Sequence, residues 1–170
     1  MLQGKRVSTY VKPRRLSLKV MYTHPEPTTL FLSHPVLGLS LSLNSNGEVI
    51  RVNQYPGQET TDHPFIKALQ AYLLTNSLEL YKIPVNFGSA SIEQQAVWAE
   101  LLKVTPGTTV SYSELGTRVN LHPRVVGRYL NQNPVPILRP CHRVIQKSGK
   151  LAGFVWDLPV KEWLLKHERQ

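Results

Sequence analysis

Cysteine is almost absent from this sequence of 170 residues, in which Cys141 is the only one. A single thiol excludes an intramolecular disulfide bond and a cysteine-rich zinc site. The sequence has no long apolar run and no signal-peptide pattern at its start. We therefore expect an intracellular protein, in the cytoplasm or the nucleus, with no membrane contact. Repeats and low-complexity tracts are also missing, and a hydrophobic content of 41% is enough for a folded core.

Acidic residues are scarce, because 11 stand against 20 lysines and arginines, which gives a formal net charge of +9. This surplus favours an anionic partner, although charge alone fits a merely soluble basic protein equally well. The cations cluster near both ends of the sequence, at Lys5, Arg6, Lys12, Arg14, Arg15 and Lys19, and at Arg118, Arg124, Arg128, Arg139, Arg143, Lys147 and Lys150. The segment from Lys12 to Arg15 fits a nuclear address, a DNA contact or a solvated edge.

Residues 1–88 are predicted to form an α+β amino-terminal domain, with a small antiparallel sheet and a helix. Apolar alternation, turn residues and helical spacing each contribute to this prediction. The expected elements are a strand at 37–43, a turn at 44–47, a returning strand at 48–52, a helix at 64–74 and an extended connector at 84–88.

Residues 89–170 are predicted to form a mainly helical carboxy-terminal domain. Ser91 and Gln94 form a capping box that begins its first helix, which Thr105-Pro106-Gly107 ends. The stripe expected to be buried on that helix is Ile92, Val97, Trp98, Leu101 and Leu102. An apolar run at 135–138 predicts a buried strand, and Pro159 begins a last helix that reaches about Glu168.

Two short helices are predicted between these elements, at about residues 112–132. Ser111 and Glu114 form a second capping box, Asn120 suits a left-handed helix end, and Pro123 suits the first turn of the next helix. This pattern indicates a helix-turn-helix, although an ordinary helical corner is the commoner structure. The basic side chains that favour DNA binding are Arg118, Arg124 and Arg128.

The lone thiol of Cys141 needs a base before it can act as a nucleophile, because a free cysteine is mostly protonated at neutral pH. His142 is adjacent, but neighbouring side chains of an extended chain point to opposite faces. A bridging water or a sharp bend after Pro140 is therefore required. Glu168 is a candidate to orient the imidazole, and an exposed terminal glutamate is the alternative. His24, His34 and His63 lack ligand spacing, and we expect surface or loop roles for them.

The segment Pro140-Cys141-His142-Arg143-Val144 resembles the active-site signature of the O6-alkylguanine-DNA alkyltransferases. Other segments match this family at similar spacing: Val97-Trp98, Ser111-Tyr112, Arg124-Val125-Val126-Gly127, Asn133-Pro134 and Leu164-Leu165-Lys166-His167-Glu168. The resemblance covers residues 84–170 well. It covers the amino-terminal part loosely, mainly through residues 37–52 and 81–87.

The resemblance implies a suicide methyltransferase that repairs DNA by direct reversal. In the family's mechanism, Glu168, His142 and a water remove the proton of Cys141, whose thiolate takes the alkyl group, typically methyl, from O6 of guanine. Tyr112 supplies a hydrogen bond or proton to the departing oxygen, and Arg143 organises the site by pairing with a carboxylate or carbonyl. The thioether does not hydrolyse, so each molecule acts once. No cofactor and no metal are implied.

The resemblance also implies binding to the minor groove of double-stranded DNA through the helix-turn-helix, with the guanine rotated out of the stack. Arg124 corresponds to the arginine that fills the vacated place, and Tyr112 to the residue that pushes the 3′ phosphate. Asn133 corresponds to a hinge that holds the recognition helix. Val125 and Arg128 are further expected DNA contacts. We expect a monomer, with cooperative assembly on DNA left open.

Several positions depart from the family's pattern. Phe154, Val155 and Trp156, with Pro136, are the expected pocket wall, and the missing hydroxyl and narrow shape predict that methyl is accepted better than benzyl. Val125, Arg128 and Tyr129 stand where relatives carry small residues. Arg139 replaces an aliphatic residue, and we expect it to be exposed or paired.

Two other functions fit parts of the sequence. A DNA-binding sensor without chemistry would lack the cysteine that is present here. A Cys-His hydrolase would show turnover on esters or peptides.

Overall fold

The computed structural model describes residues 26–55 and 62–170. The predictions for the basic residues that precede Glu26, including Lys12 to Arg15, and for His24 concern residues outside this range. No helix within the described residues is long and apolar enough to cross a membrane.

Three antiparallel strands form the main sheet in the order β1-β2-β3: β1 (Thr28–Leu32), β2 (Leu39–Leu43) and β3 (Val49–Gln54). Leu41 on β2 pairs with Leu30 on one side and Val52 on the other. The side chain of Asn44 closes the turn between β2 and β3 by accepting from the backbone of Asn46 and Glu48, both at 3.0 Å. The predicted small antiparallel sheet is confirmed. Its strand β1 was not predicted from the sequence.

Five α-helices and a two-stranded parallel sheet complete the described fold: α1 (Pro64–Thr75), α2 (Ile92–Glu100), α3 (Tyr112–Val119), α4 (Pro123–Asn131), α5 (Leu158–His167), β4 (Val110–Ser111) and β5 (Val144–Ile145). Single 3₁₀ segments occur at Leu78–Lys82, Leu101–Lys103 and Cys141–Arg143. Both predicted capping boxes are confirmed, at Ser91 with Gln94 and at Ser111 with Glu114.

Gly116 and Asn120 fix the tight turn between α3 and α4. Asn120 is left-handed with φ 55°, as predicted, and its N–H bonds to carbonyls at the end of α3. A Cβ on Gly116 would lie 2.5 Å from the carbonyl oxygen of Leu121, so only glycine permits this approach. The turn is therefore defined by two local backbone requirements.

Two groups of buried apolar side chains stabilise the molecule. The first joins the sheet and α1 to Val135, Ile137 and Leu138, and to Val160 and Leu164 of α5. The second joins α2, α3 and α4 to Cys141 and Val144. Each leucine fully buried in this way contributes about 1.5–3 kcal/mol. The first core draws on both sides of residue 88, and the division into domains 1–88 and 89–170 stays a prediction.

Two predictions about local structure are wrong, at Ile92 and at residues 135–138. Ile92 is 87% exposed and lies in the first turn of α2. His63, for which a surface or loop role was expected, lies in the loop before α1 but is buried, and its imidazole caps α1 by accepting from Phe65 N at 3.2 Å. Residues 135–138 form a buried turn and not a strand. Ile137 has φ 72°, and Pro136 offers no N–H for a ladder.

Candidate active site

Cys141 begins a single 3₁₀ turn, Cys141–Arg143, that bends the chain directly after Pro140. Within this bend Cys141 N donates to Arg139 O at 2.8 Å, and Arg143 N donates to Pro140 O at 3.1 Å. The bend removes the obstacle that an extended chain would present, since adjacent side chains no longer point to opposite faces. β5 follows and pairs in parallel with β4, which brings the start of α3 beside the thiol.

A small cavity of about 40 Å³ adjoins Cys141. It is lined by Tyr112, Gly127, Leu130, Asn131, Cys141, Gly153, Phe154 and Val155. This volume has room for about one water molecule and is far below the range of ligand pockets. Two residues of the expected pocket wall, Phe154 and Val155, line this cavity. Trp156 lies behind Phe154 at a ring separation of 5.6 Å, and Pro136 is buried elsewhere, so neither lines the cavity in the described structure.

The thiol of Cys141 is 4% exposed, and burial raises its pKa to about 11. A hydrogen bond from the Asn133 side chain and the nearby charge of Lys161 act in the opposite direction. The resting group is therefore a neutral thiol, which requires a base before it can act as a nucleophile.

His142 and Glu168 form a fully buried pair next to this thiol. His142 Nε2 lies 2.8 Å from Glu168 Oε1, and Nδ1 has no hydrogen-bond partner among the described residues. Burial lowers the pKa of His142, while the bond to Glu168 opposes that shift. With Nε2 donating to the carboxylate, Nδ1 is the nitrogen left to accept a proton.

Arg143 completes the environment of the carboxylate. Its Nε and Nη2 donate to the two oxygens of Glu168 at 2.9 and 2.7 Å, and Nη1 donates to Val104 O. Its Nη2 also donates to the hydroxyl of Tyr81. Burial raises the pKa of Glu168, but the bonds from His142 and Arg143 outweigh it and hold that pKa well below its usual range. Glu168 is thus a fixed carboxylate and not an exposed terminal residue.

Lys161 is a site residue that the sequence did not reveal. It is completely buried, and its Nζ donates to three carbonyl oxygens: Val144 at 2.7 Å, Gly153 at 2.9 Å and Ala152 at 3.0 Å. Burial lowers its pKa to about 8, so at pH 7 the ammonium keeps a proton for each of these carbonyls. Lys161 thereby ties the pocket loop to β5. Its spacing of seven residues before Glu168 was the available signal, since both lie on one helix face.

Tyr112 and Asn133 both lie near the thiol. The Tyr112 hydroxyl donates to Ala152 O at 2.7 Å, and its ring faces Gly127 of α4. Burial raises the pKa of Tyr112, and the neighbouring Cys141 adds to that rise. Asn133 donates to Arg139 O at 2.8 Å and accepts from Val135 N at 3.1 Å, which joins the end of α4 to the turn before Cys141.

The expected DNA contacts lie on α4. Arg124 and Arg128 are exposed, and Val125 is half-buried. Tyr129 is buried and turned toward α2, where its hydroxyl donates to Glu93 at 2.7 Å. The outer face of α4 therefore presents the two arginines and not the tyrosine.

Arg139 is half-buried. Its Nη1 donates to Leu138 O at 2.8 Å, and its guanidinium lies 5.5 Å from the centroid of Phe87. Burial lowers the pKa of this arginine. Across the described residues, no group of three or more His, Cys, Asp or Glu side chains is placed to hold a metal ion.

Comparison with known proteins gives one consistent result. The model of the family described as 6-O-methylguanine DNA methyltransferase, DNA binding domain, matches residues 93–170. The Methanopyrus kandleri methylated-DNA–protein-cysteine methyltransferase is 36% identical over 109 residues, which are 64% of this chain and 81% of that protein. The Candida albicans protein of the same name is 36% identical over 106 residues, 56% of this chain and 61% of that protein. The chain thus spans less than two thirds of the Candida relative.

A solved structure resembles most of the chain. The crystal structure of Mycobacterium tuberculosis OGT in complex with DNA has a TM-score of 0.69 and 26% sequence identity, and it covers 83% of this chain and 92% of its own. The likeness covers more of the chain than residues 93–170, the part that the family model matches.

Proposed function

Because the chain belongs to the methylated-DNA–protein-cysteine methyltransferase family, we propose that it repairs DNA by moving a methyl group from O6 of guanine onto Cys141. The observation that carries the proposal is the thiol of Cys141 at a cavity beside the buried His142–Glu168 pair. The reaction is stoichiometric, since a thioether does not hydrolyse, and it calls for neither cofactor nor metal.

The proton on the thiol leaves through His142. His142 Nδ1, which has no hydrogen-bond partner among the described residues, accepts it by way of one water, and Glu168 stabilises the imidazolium that forms. The thiolate attacks the methyl carbon in line, so the S–C bond forms as the C–O6 bond breaks. The electron pair stays on the guanine oxygen, which accepts a hydrogen bond from Tyr112, and the guanine then takes one proton from water as His142 returns the thiol's proton to water.

The two helices α3 and α4 suit a helix-turn-helix, with α4 as the recognition helix in the minor groove. The exposed side chains of Arg124 and Arg128 support this orientation. Arg124 fills the place of the extruded guanine, because a planar cation can stack and still donate hydrogen bonds. Extrusion costs a few kcal/mol, least where the lesion already weakens pairing.

The pocket opens when the guanine enters, because about 40 Å³ cannot hold a base. The Tyr112 hydroxyl leaves the carbonyl of Ala152 in this step, while Lys161 continues to donate to that carbonyl. The protein acts as a monomer on double-stranded DNA, since one chain contains every group named here.

Mass spectrometry after mixing with O6-methylguanine DNA tests the proposal. The Cys141 peptide should gain one methyl group in place of hydrogen, with one methyl per chain. Cys141→Ala should bind the same DNA and gain nothing. Turnover of esters with an unmodified Cys141 would instead indicate a hydrolase and contradict the proposal.

A further inference from the structure

Glu168 receives a hydrogen bond from a part of the chain that lies outside the region matched by the family model. The hydroxyl of Tyr72, on α1, donates to Glu168 Oε1 at 2.7 Å across 96 residues of sequence. Tyr72 is completely buried. The same oxygen also accepts from His142 Nε2 at 2.8 Å and Arg143 Nη2 at 2.7 Å. Three donors therefore share the one atom that orients the imidazole.

The last turn of α1 is fixed against the end of α5, so this contact is held by its surroundings. His167 Nε2 lies 3.1 Å from Tyr72 O, and Asn76 Nδ2 donates to His167 O at 3.3 Å. The rings of Tyr72 and His167 also meet edge to face at 5.5 Å. Tyr72 cannot swing away from Glu168 without separating the two helices.

We propose that Tyr72 is a positioning residue of the transfer reaction, which fixes the Glu168 carboxylate and limits how strongly it attracts the proton of His142. The inference rests on the proposed function for the reaction that Tyr72 would assist. The contact between Tyr72 and Glu168 does not depend on that function. A buried hydroxyl that needed only a partner could use any carbonyl. This one donates to a charged oxygen, where the bond is stronger and where it competes directly with the imidazole.

The sign of the effect follows from this competition. Burial and the adjacent carboxylate raise the pKa of Tyr72 well above its usual value, so the hydroxyl keeps the proton it donates. Without that donor, the negative charge on Oε1 would act more strongly on His142 and favour the imidazolium. The other charged or titratable groups around the His142–Glu168 pair are Lys161 of α5, Arg143 and Cys141 beside the imidazole, and Tyr81 beyond Arg143. Tyr72→Phe leaves all four of these side chains in place.

Tyr72→Phe tests the proposal, because it deletes the hydroxyl and keeps the ring. Methyl transfer from O6-methylguanine DNA is measured from pH 5 to 9 for the variant and the unaltered protein. We expect the acidic limb of the pH–rate profile to shift to higher pH by about one unit, because one charge-assisted hydrogen bond to Glu168 is lost. The variant is then about tenfold slower at the acidic end and within about twofold at the alkaline end. A ratio of rates that is the same at every pH, or a shift to lower pH, overturns the proposal.

Two control variants separate this effect from a loss of stability. Leu69→Val destabilises the same helix from a buried position but leaves the hydroxyl in place, and Tyr55→Phe removes a remote, half-exposed hydroxyl. For both controls, the ratio of the variant's transfer rate to that of the unaltered protein should not vary with pH. If Tyr72→Phe does not fold, 3-fluorotyrosine at position 72 replaces it. The hydroxyl of 3-fluorotyrosine is a stronger donor, so the acidic limb of the pH–rate profile should shift to lower pH. An acidic limb that does not shift counts against the proposal.

The alkylation of Cys141 by iodoacetamide over the same pH range needs no DNA and no methyl transfer. If the unaltered protein takes no methyl group from DNA, the proposed function fails, while the iodoacetamide rates still report on Tyr72. If methyl transfer occurs and the ratio is constant with pH in both assays, the inference about Tyr72 fails alone.

Discussion

The hydroxyl of Tyr112, a residue that lines the cavity adjoining Cys141, lies 2.7 Å from the carbonyl oxygen of Ala152. This bond links the start of α3 to the loop that forms the opposite wall. The same carbonyl accepts from Lys161, so it keeps a donor when Tyr112 turns away. The wall and the tyrosine can therefore separate without leaving a buried oxygen unpaired, which would cost about 1–3 kcal/mol.

Tyr112→Phe should slow methyl transfer about 100-fold, because phenylalanine cannot donate to the departing guanine oxygen. Affinity for unmodified DNA should change only a few-fold, since the ring and its contact with Gly127 remain. Single-turnover rates and DNA titrations on the same preparation measure the two effects. A variant that transfers at the normal rate would show that backbone N–H groups alone stabilise the oxygen.

Lys161→Met should lower the free energy of unfolding by roughly 3 kcal/mol, because the carbonyls of Val144 and Gly153 lose the ammonium donor and that of Ala152 keeps only Tyr112. Urea denaturation at pH 7 measures the loss. Lys166→Met on the same helix is the matched control, since its side chain is 71% exposed and pairs with Glu162. That control should lose less than about 1 kcal/mol. Equal losses in the two variants would mean that the bonds of Lys161 to the loop contribute little.

The elements that sequence analysis predicted well depend on neighbouring residues. The capping boxes at Ser91 and Ser111 and the left-handed Asn120 are local backbone chemistry, and the structure has all three. The turn at 135–138 was missed, although Arg139 N closes it locally by donating to Val135 O at 3.0 Å. An apolar run fits a strand or any other buried segment, so it did not predict the left-handed φ of 72° at Ile137.

The residues of the candidate site also differ in whether the sequence revealed them. Cys141, His142 and Glu168 were identified through a resemblance that preserves their spacing. Tyr72 gave no signal, because 96 residues separate it from Glu168 and a tyrosine on an apolar helix face is ordinary core. Lys161 was missed because lysine is almost never fully buried, so composition argues against it.

Glu168→Gln should abolish most of the acid sensitivity of folding. The folded pKa of Glu168 lies below its ordinary value of 4.5. The stability it contributes is therefore present above that value and is lost as pH falls toward the folded pKa. The free energy of unfolding should fall between pH 5 and 3 in the unaltered protein and change less in the variant, as urea titrations at each pH would measure.

At pH 7 the Glu168→Gln variant should be less stable by about 3–5 kcal/mol, because Arg143 is left as a buried, unpaired charge. Glu162→Gln is the control, with a carboxylate that is 55% exposed on the same helix. It should keep the acid-dependent loss of the unaltered protein. The same slope in all three proteins would place the acid-sensitive group elsewhere.

Benzyl groups should transfer at least about tenfold more slowly than methyl groups, because the pocket is narrow at Phe154. The Phe154 ring lies between His142 and Trp156, at ring separations of 6.5 and 5.6 Å, so it has little freedom to move. Competition between O6-benzylguanine and O6-methylguanine DNA measures the preference. Val155→Ala, which enlarges the lining, should raise the ratio of benzyl to methyl transfer. Rapid labelling of the unaltered protein by benzylguanine would contradict this prediction.

Arg124→Ala should slow repair of duplex DNA by about tenfold or more while leaving repair of single strands nearly unchanged, because a single strand needs no extrusion. Arg128→Ala is the matched control, since both arginines are exposed on α4. A lost phosphate contact at Arg128 should weaken binding and flatten the log–log dependence on salt by about one unit. The Arg128→Ala variant should not repair single strands in preference to duplex DNA. If Arg124→Ala slowed repair of both substrates equally, the arginine would be a general DNA contact and not the group that replaces the guanine.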